Sequence, residues 1–191
     1  MKAFLLALAL SCARGKEALR FEQVHEQAAD FSCGLAAAAS LADLYWGVPC
    51  SEADLRDALA PEGDLEERAT DLAELGRLLE GLGFSVRAVR MEVEGLRQAV
   101  RRGYAPLLLH LRDDGGHFVL LLGFRGETAV LGDPGRGVTA LRSEDLKSRF
   151  TGGVLAVVSP SATLDRDRLD AAVRSAASGF QFLEALSRRM L

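Results

Sequence analysis

Three residue types in this chain can do covalent chemistry together, and their order along it is informative. Cys33 lies in DFSCGLAAAASLADLY, where turn-forming residues give way to a run of Ala and Leu. That run has strong helix propensity, and either Asp30 or Ser32 can cap it, so Cys33 is predicted at the first turn of a buried helix. The unpaired N–H groups and the dipole there favour an anion, which lowers a thiol's pKa. A lone Cys at such a place is more simply a small apolar filler. Two later stretches change that reading. GGHFVLLLGF, residues 115–124, supplies a glycine turn and then His117 at the head of an apolar strand, and AVLGDPGRG, residues 129–137, ends a second strand at Asp133-Pro134. A thiol, a base and a carboxylate that orients the base are the parts of nucleophilic catalysis. His110, in PLLLHLR, is a second candidate base, but the glycine pair before His117 and the Asp beyond it favour His117. His25 is read as a surface residue and Cys50, after Pro49, as a small filler.

Gln27 lies six residues before Cys33, DFSCG surrounds the thiol, HFVLLLGF carries the imidazole, and the Asp of GDPGRG follows sixteen residues after it. In order and spacing these four motifs, spread over roughly residues 22–158, resemble the peptidase C39 family, papain-like cysteine proteases that process bacterial secretion substrates. The resemblance implies Cys33 as nucleophile, His117 as general base and then acid, Asp133 as its orienter, and Gln27 as oxyanion donor beside the Cys33 N–H. It implies no cofactor and no metal. It also implies a peptide cut after a small pair, typically Gly-Gly, at the end of a leader that docks on an apolar groove. Bacteriocins and biofilm-amyloid export substrates are the cargoes it suggests. Two alternatives share the architecture: a C39-like module that binds leaders without cleaving, and a papain-like acyltransferase that passes the acyl group to an amine.

The elements that must position these residues are legible from periodicity. After the Cys33 helix, Ser51 caps SEADLRDALA with Asp54 at the capping-box position, and TDLAELGRLLEGLGF repeats Leu72, Leu75, Leu78, Leu79 and Leu82 at helical spacing. The acidic residues Glu62, Asp64, Glu66, Glu67, Asp71, Glu74 and Glu80 are read as a solvated face. From Phe84 strands dominate: SVRAVRM alternates, PLLLHLR, HFVLLLGFRG and ETAVLGDP follow a short helix at EVEGLRQAVRRG, and VTALR, a helix at SEDLKSRF and GVLAVVSP complete a sheet. Helices first and antiparallel strands second make an α+β fold, papain-like by the resemblance.

A chain of 191 residues suits one domain with appendages. Its net charge of −4 gives no basic field for nucleic acid, and three Cys without CxxC spacing argue against a disulfide framework or structural metal. Residues 1–13, MKAFLLALALSCA, read as a secretion signal cleaved after Ala13; a lipidated Cys12 and a helix packed on the domain are the other readings. The expected place of work is then the periplasm, with membrane association through Cys12 or the C-terminal helix. Residues 14–160 form the peptidase domain, and 161–191 an extension of one or two helices interrupted at Gly179. The chain has no GxxxxGK[ST] stretch, so a standalone form is expected instead of one fused to a transporter ATPase, working on a leader-bearing substrate beside an export component.

Overall fold

A computed structural model describes residues 20–60 and 69–189. Residues 1–13 and the acidic residues Glu62, Asp64, Glu66 and Glu67 lie outside that range. Six helices are described: α1 Cys33–Ser40, α2 Glu52–Leu59, α3 Leu72–Gly81, α4 Val93–Arg101, α5 Ser143–Arg149 and α6 Arg166–Arg189. Six strands, β1 Ser85–Arg90, β2 Leu107–Leu111, β3 His117–Arg125, β4 Thr128–Asp133, β5 Gly137–Arg142 and β6 Phe150–Val158, form one sheet in the order β1-β6-β2-β3-β4-β5. Every neighbouring pair is antiparallel. The α+β architecture is the one expected.

Helix α1 is the centre of the molecule. All of its residues are buried, as a helix apolar on every side must be. Its alanines let the sheet and the flanking helices approach closely, and a π turn at Leu41–Tyr45 continues it. Tyr45, fully buried, donates its hydroxyl to Gln23 O at 2.8 Å, and His25 N donates to Ser40 Oγ at 2.8 Å. These bonds strap the segment that leads to Gln27 along the helix.

The sheet is covered on both faces, which is why β2, β3 and β4 read as unbroken apolar runs. Leu108, Leu120 and Leu122 join α1 and α3 in one core, while Leu107, Leu109, Leu111 and Leu121 pack with Leu96 of α4 and Leu146 of α5 in another. Both α2 and α3 begin with complete capping boxes, Ser51 with Asp54 and Asp71 with Glu74. The second box corrects the solvated-face reading of Glu74. Its carboxylate accepts from Asp71 N at 3.0 Å, and the residue is buried. The C-terminal segment also differs from expectation, because α6 is one helix that runs through Gly179. Leu169, Ala172 and Ala177 on α6 belong to the same core as α1, whereas Phe182 and Leu183 are each 64% exposed. Among the described residues no helix is long and apolar enough to cross a membrane.

Candidate active site

The thiol stands where the sequence predicts, on the first residue of α1, and is 3% exposed. The local reason differs in one respect. Ser32 occupies the cap position but makes no side-chain cap bond, and Asp30 does not replace it. The Ser32 hydroxyl instead accepts from Ala29 N at 3.0 Å and donates to Ala29 O at 2.9 Å, closing the preceding turn. The first-turn N–H groups of α1 are therefore not taken by a capping side chain. One of them, Gly34 N–H, stabilises the Cys33 sulfur as thiolate. A second backbone donor comes from the sheet, with Phe118 N 3.5 Å from Sγ.

His117 opens β3 directly after a tight turn at Asp113–Gly115, where Gly115 and Gly116 take φ of +85° and +131°. The turn is clamped. Asp113 accepts from Arg149 Nε at 2.9 and 3.0 Å and also pairs with the same guanidinium's Nη2, and Arg136 Nη1 lies 3.8 Å from its Oδ2. Asp133 ends β4, is 2% exposed, and places Oδ1 2.8 Å from His117 Nε2. The same oxygen accepts from Gly135 N at 2.9 Å. With Nε2–H committed to a carboxylate, Nδ1 is the nitrogen left to exchange a proton with Cys33.

Gln27 is held against the same turn. Its backbone N donates to Pro134 O at 3.0 Å, its Nε2 donates to Ala29 O at 2.9 Å, and its Oε1 is buried without a partner. One Nε2 hydrogen remains uncommitted by these bonds. The structure thus brings Cys33, His117 and Asp133 together and sets Gln27 beside the Asp133–Gly135 turn. His25 is elsewhere, paired with Asp43 Oδ2 at 3.1 Å. Cys50 is buried, and burial together with Asp54 and Asp43 pushes its thiol up to about 11.

The electrostatics separate the two thiols. Burial would raise the Cys33 pKa, but His117 and the Phe118 and Gly34 N–H groups outweigh it and hold the thiol below its ordinary value. Burial opposes the charge on His117, yet Asp133 and Cys33 lift its pKa to about 9. Burial likewise opposes the Asp133 charge, and His117 nevertheless keeps that carboxyl below the usual range. The arrangement favours a thiolate–imidazolium pair backed by a carboxylate.

The model of the peptidase C39 family matches residues 22–163. This chain belongs to that family. It is 30% identical over 142 residues to the probable functional amyloid protease FapD of Pseudomonas aeruginosa, an alignment covering 73% of this chain and 62% of FapD. The chain thus spans less than two thirds of that relative. Two solved structures share the fold. The peptidase domain of Streptococcus ComA, a bi-functional ABC transporter, is 23% identical with a TM-score of 0.63, over 72% of this chain and 98% of that domain. A double glycine motif protease from an AMS/PCAT transporter, solved with a leader peptide, is 24% identical with a TM-score of 0.59, over 70% of this chain and 89% of the other.

Parts of this candidate site are not legible in the sequence of this C39 family member. The Phe118 N–H is a backbone group, so no residue type announces it. Asp113 was readable only as a turn residue, because its partner Arg149 is 36 positions away. The glycine after the thiol is a signal the sequence does carry. A methyl at Gly34 would fall 2.4 Å from Thr70 Oγ1 and 3.0 Å from Leu75 and Phe118, so only glycine lets the α1 terminus sit this close to its neighbours.

Proposed function

We propose that this chain is a cysteine endopeptidase that cleaves after a small, Gly-Gly-like pair at the end of a leader segment. The observation that carries the reading is the Asp133 Oδ1 to His117 Nε2 contact at 2.8 Å, with the N–H of the next residue, Phe118, 3.5 Å from the Cys33 sulfur. In this mechanism the Cys33 thiolate attacks the scissile carbonyl and forms a C–S bond. The oxyanion is held by the Cys33 N–H and the free Gln27 amide hydrogen, a contribution of about 3 kcal/mol per donor in comparable sites. As the C–N bond breaks, the His117 imidazolium gives its proton to the leaving amine. Neutral His117 then takes a proton from water, whose oxygen attacks the thioester, and the thiolate leaves with the imidazolium restored. Asp133 stays ionised throughout and fixes the ring's tautomer and direction.

The small-pair specificity is supported by a double glycine motif protease among the structures of the same fold, and an amyloid-subunit cargo by FapD. A leader-bearing substrate delivered beside an export component fits both. The apolar run at residues 3–10 supports an exported, periplasmic protein. The test is direct: incubate the chain with a synthetic peptide carrying an internal Gly-Gly after an amphipathic leader, and identify products by mass spectrometry. Cleavage after the second Gly, lost in Cys33→Ala, is expected. Cleavage that survives Cys33→Ala would exclude the mechanism, and an amine adduct in place of the free carboxylate would reassign it to acyl transfer.

A further inference from the structure

A second imidazole lies beneath the turn that presents His117 and takes no part in the proton transfers above. His110 stands opposite Phe118 across the β2–β3 pair, and the two rings are 4.8 Å apart between centroids. On its other side the β2–β6 register shifts between Leu109 and Leu111, an irregularity of the kind that re-aims a side chain. The ring is then locked by hydrogen bonding. Thr151 Oγ1 donates its one hydrogen to the His110 carbonyl at 2.9 Å, so its 3.2 Å contact with His110 Nδ1 requires the ring nitrogen to be the donor. Neutral His110 therefore carries its proton on Nδ1 and leaves Nε2 bare. That bare nitrogen abuts Gly116. A methyl added there would fall 2.9 Å from Nε2, and Gly116 has φ of +131°, so the ring and the turn meet with no room for a side chain.

The charge that acts on the His110 ring is His117 on β3, and on the β6 side Arg90 of β1 donates to Thr151 O at 3.3 Å. Burial and the His117 charge both hold the His110 ring below its ordinary pKa. It stays neutral while His117 is protonated.

We propose that His110 is a positioning residue for the peptidase reaction: its neutral ring, locked by Thr151, supports Gly116 and Phe118 and so holds the His117 imidazole and the Phe118 N–H against the Cys33 sulfur. The proposal rests on the assignment of Cys33 and His117 made above. It acts through two observed contacts, the Phe118 N to Sγ distance of 3.5 Å and the Gly116 turn that precedes His117. Losing the ring lets both relax, and the thiolate loses stabilisation before the fold does.

The experiment follows the rate of Cys33 alkylation by iodoacetamide against pH in the full chain and in His110→Ala, His110→Phe and Thr151→Val. His110→Ala is expected to raise the thiolate midpoint by about one unit, which is about a tenfold slower rate at pH values well below that midpoint. The deficit should vanish above about pH 10, where the thiol is ionised in any case. His110→Phe keeps the ring without its lock and Thr151→Val removes the acceptor, so each should lose about threefold at pH values well below the midpoint. Wild-type midpoints in the variants would overturn the proposal. A deficit equal at every pH would also overturn it, because that reports access or folding and not ionisation. If His110→Ala fails to fold, Thr151→Val decides by the same midpoint. Cys33 reacting no faster than Cys50 in the unaltered chain would instead sink the assignment beneath it.

Discussion

Replacing Asp133 with Asn is the most informative single change in this site. Both the His117 Nε2–H bond at 2.8 Å and the Gly135 N–H bond at 2.9 Å end on Oδ1. An Asn whose amide oxygen takes that place keeps both bonds and removes only the charge. His117 then loses part of what lifts it to about 9. If half of the rise above an ordinary imidazole is lost, its pKa falls to about 8. The imidazolium fraction at pH 8.5 would fall from about three quarters to about a quarter, and be nearly unchanged at pH 6. The proton donor for the leaving amine is lost in proportion. A base whose pKa drops surrenders its proton at lower pH, so the alkaline limb of kcat/KM should move down by about one unit, with about threefold less activity at pH 8.5. The assay is peptide cleavage from pH 5 to 10 with thermal melting as a fold control. An unmoved alkaline limb in a folded Asp133→Asn variant would refute the claim that this carboxylate sustains the imidazolium.

Other expectations follow from the same geometry. Gln27→Ala should lower kcat about a hundredfold or more with little change in KM, since an oxyanion donor acts only in the transition state; an equal rise in KM would show that Gln27 binds substrate instead. Gly34→Ala forces a methyl to within 2.4 Å of Thr70 Oγ1 and 3.0 Å of Leu75 and Phe118, an overpacking that should cost about 1–3 kcal/mol in denaturant unfolding. Ser51→Ala removes the capping box of α2 and should cost about 1 kcal/mol without altering the alkaline limb.

Much of the site was legible because its chemistry rests on side chains whose types are rare and whose offsets are short. Cys33 before an Ala-rich run, His117 after two glycines, and Asp133 before a proline each declare both a group and the element that holds it. The Ser51–Asp54 box was legible for the same reason, being local. What stayed hidden is carried by backbone groups or by register. Ser32 turned its hydroxyl to Ala29 instead of the helix, a choice made by the turn and not by residue type. His110 meets Gly116 and Thr151 only through the alignment of three strands, and Asp113 finds Arg149 across 36 residues. Gly179 read as a helix break, yet α6 continues through it, its first half anchored on the core by Leu169, Ala172 and Ala177.

The central claim is that one of two buried thiols is poised as a nucleophile and the other is not. Alkylation of Cys33 and Cys50 by iodoacetamide, resolved by peptide mass spectrometry across pH 5 to 11, tests it most directly. Cys33 is held below its ordinary pKa of 9.0 while Cys50 is pushed up to about 11. Ionisation alone should then make Cys33 more than about a hundredfold faster at pH 7. Equal rates at pH 7, with both midpoints at or above 9.0, would contradict the account.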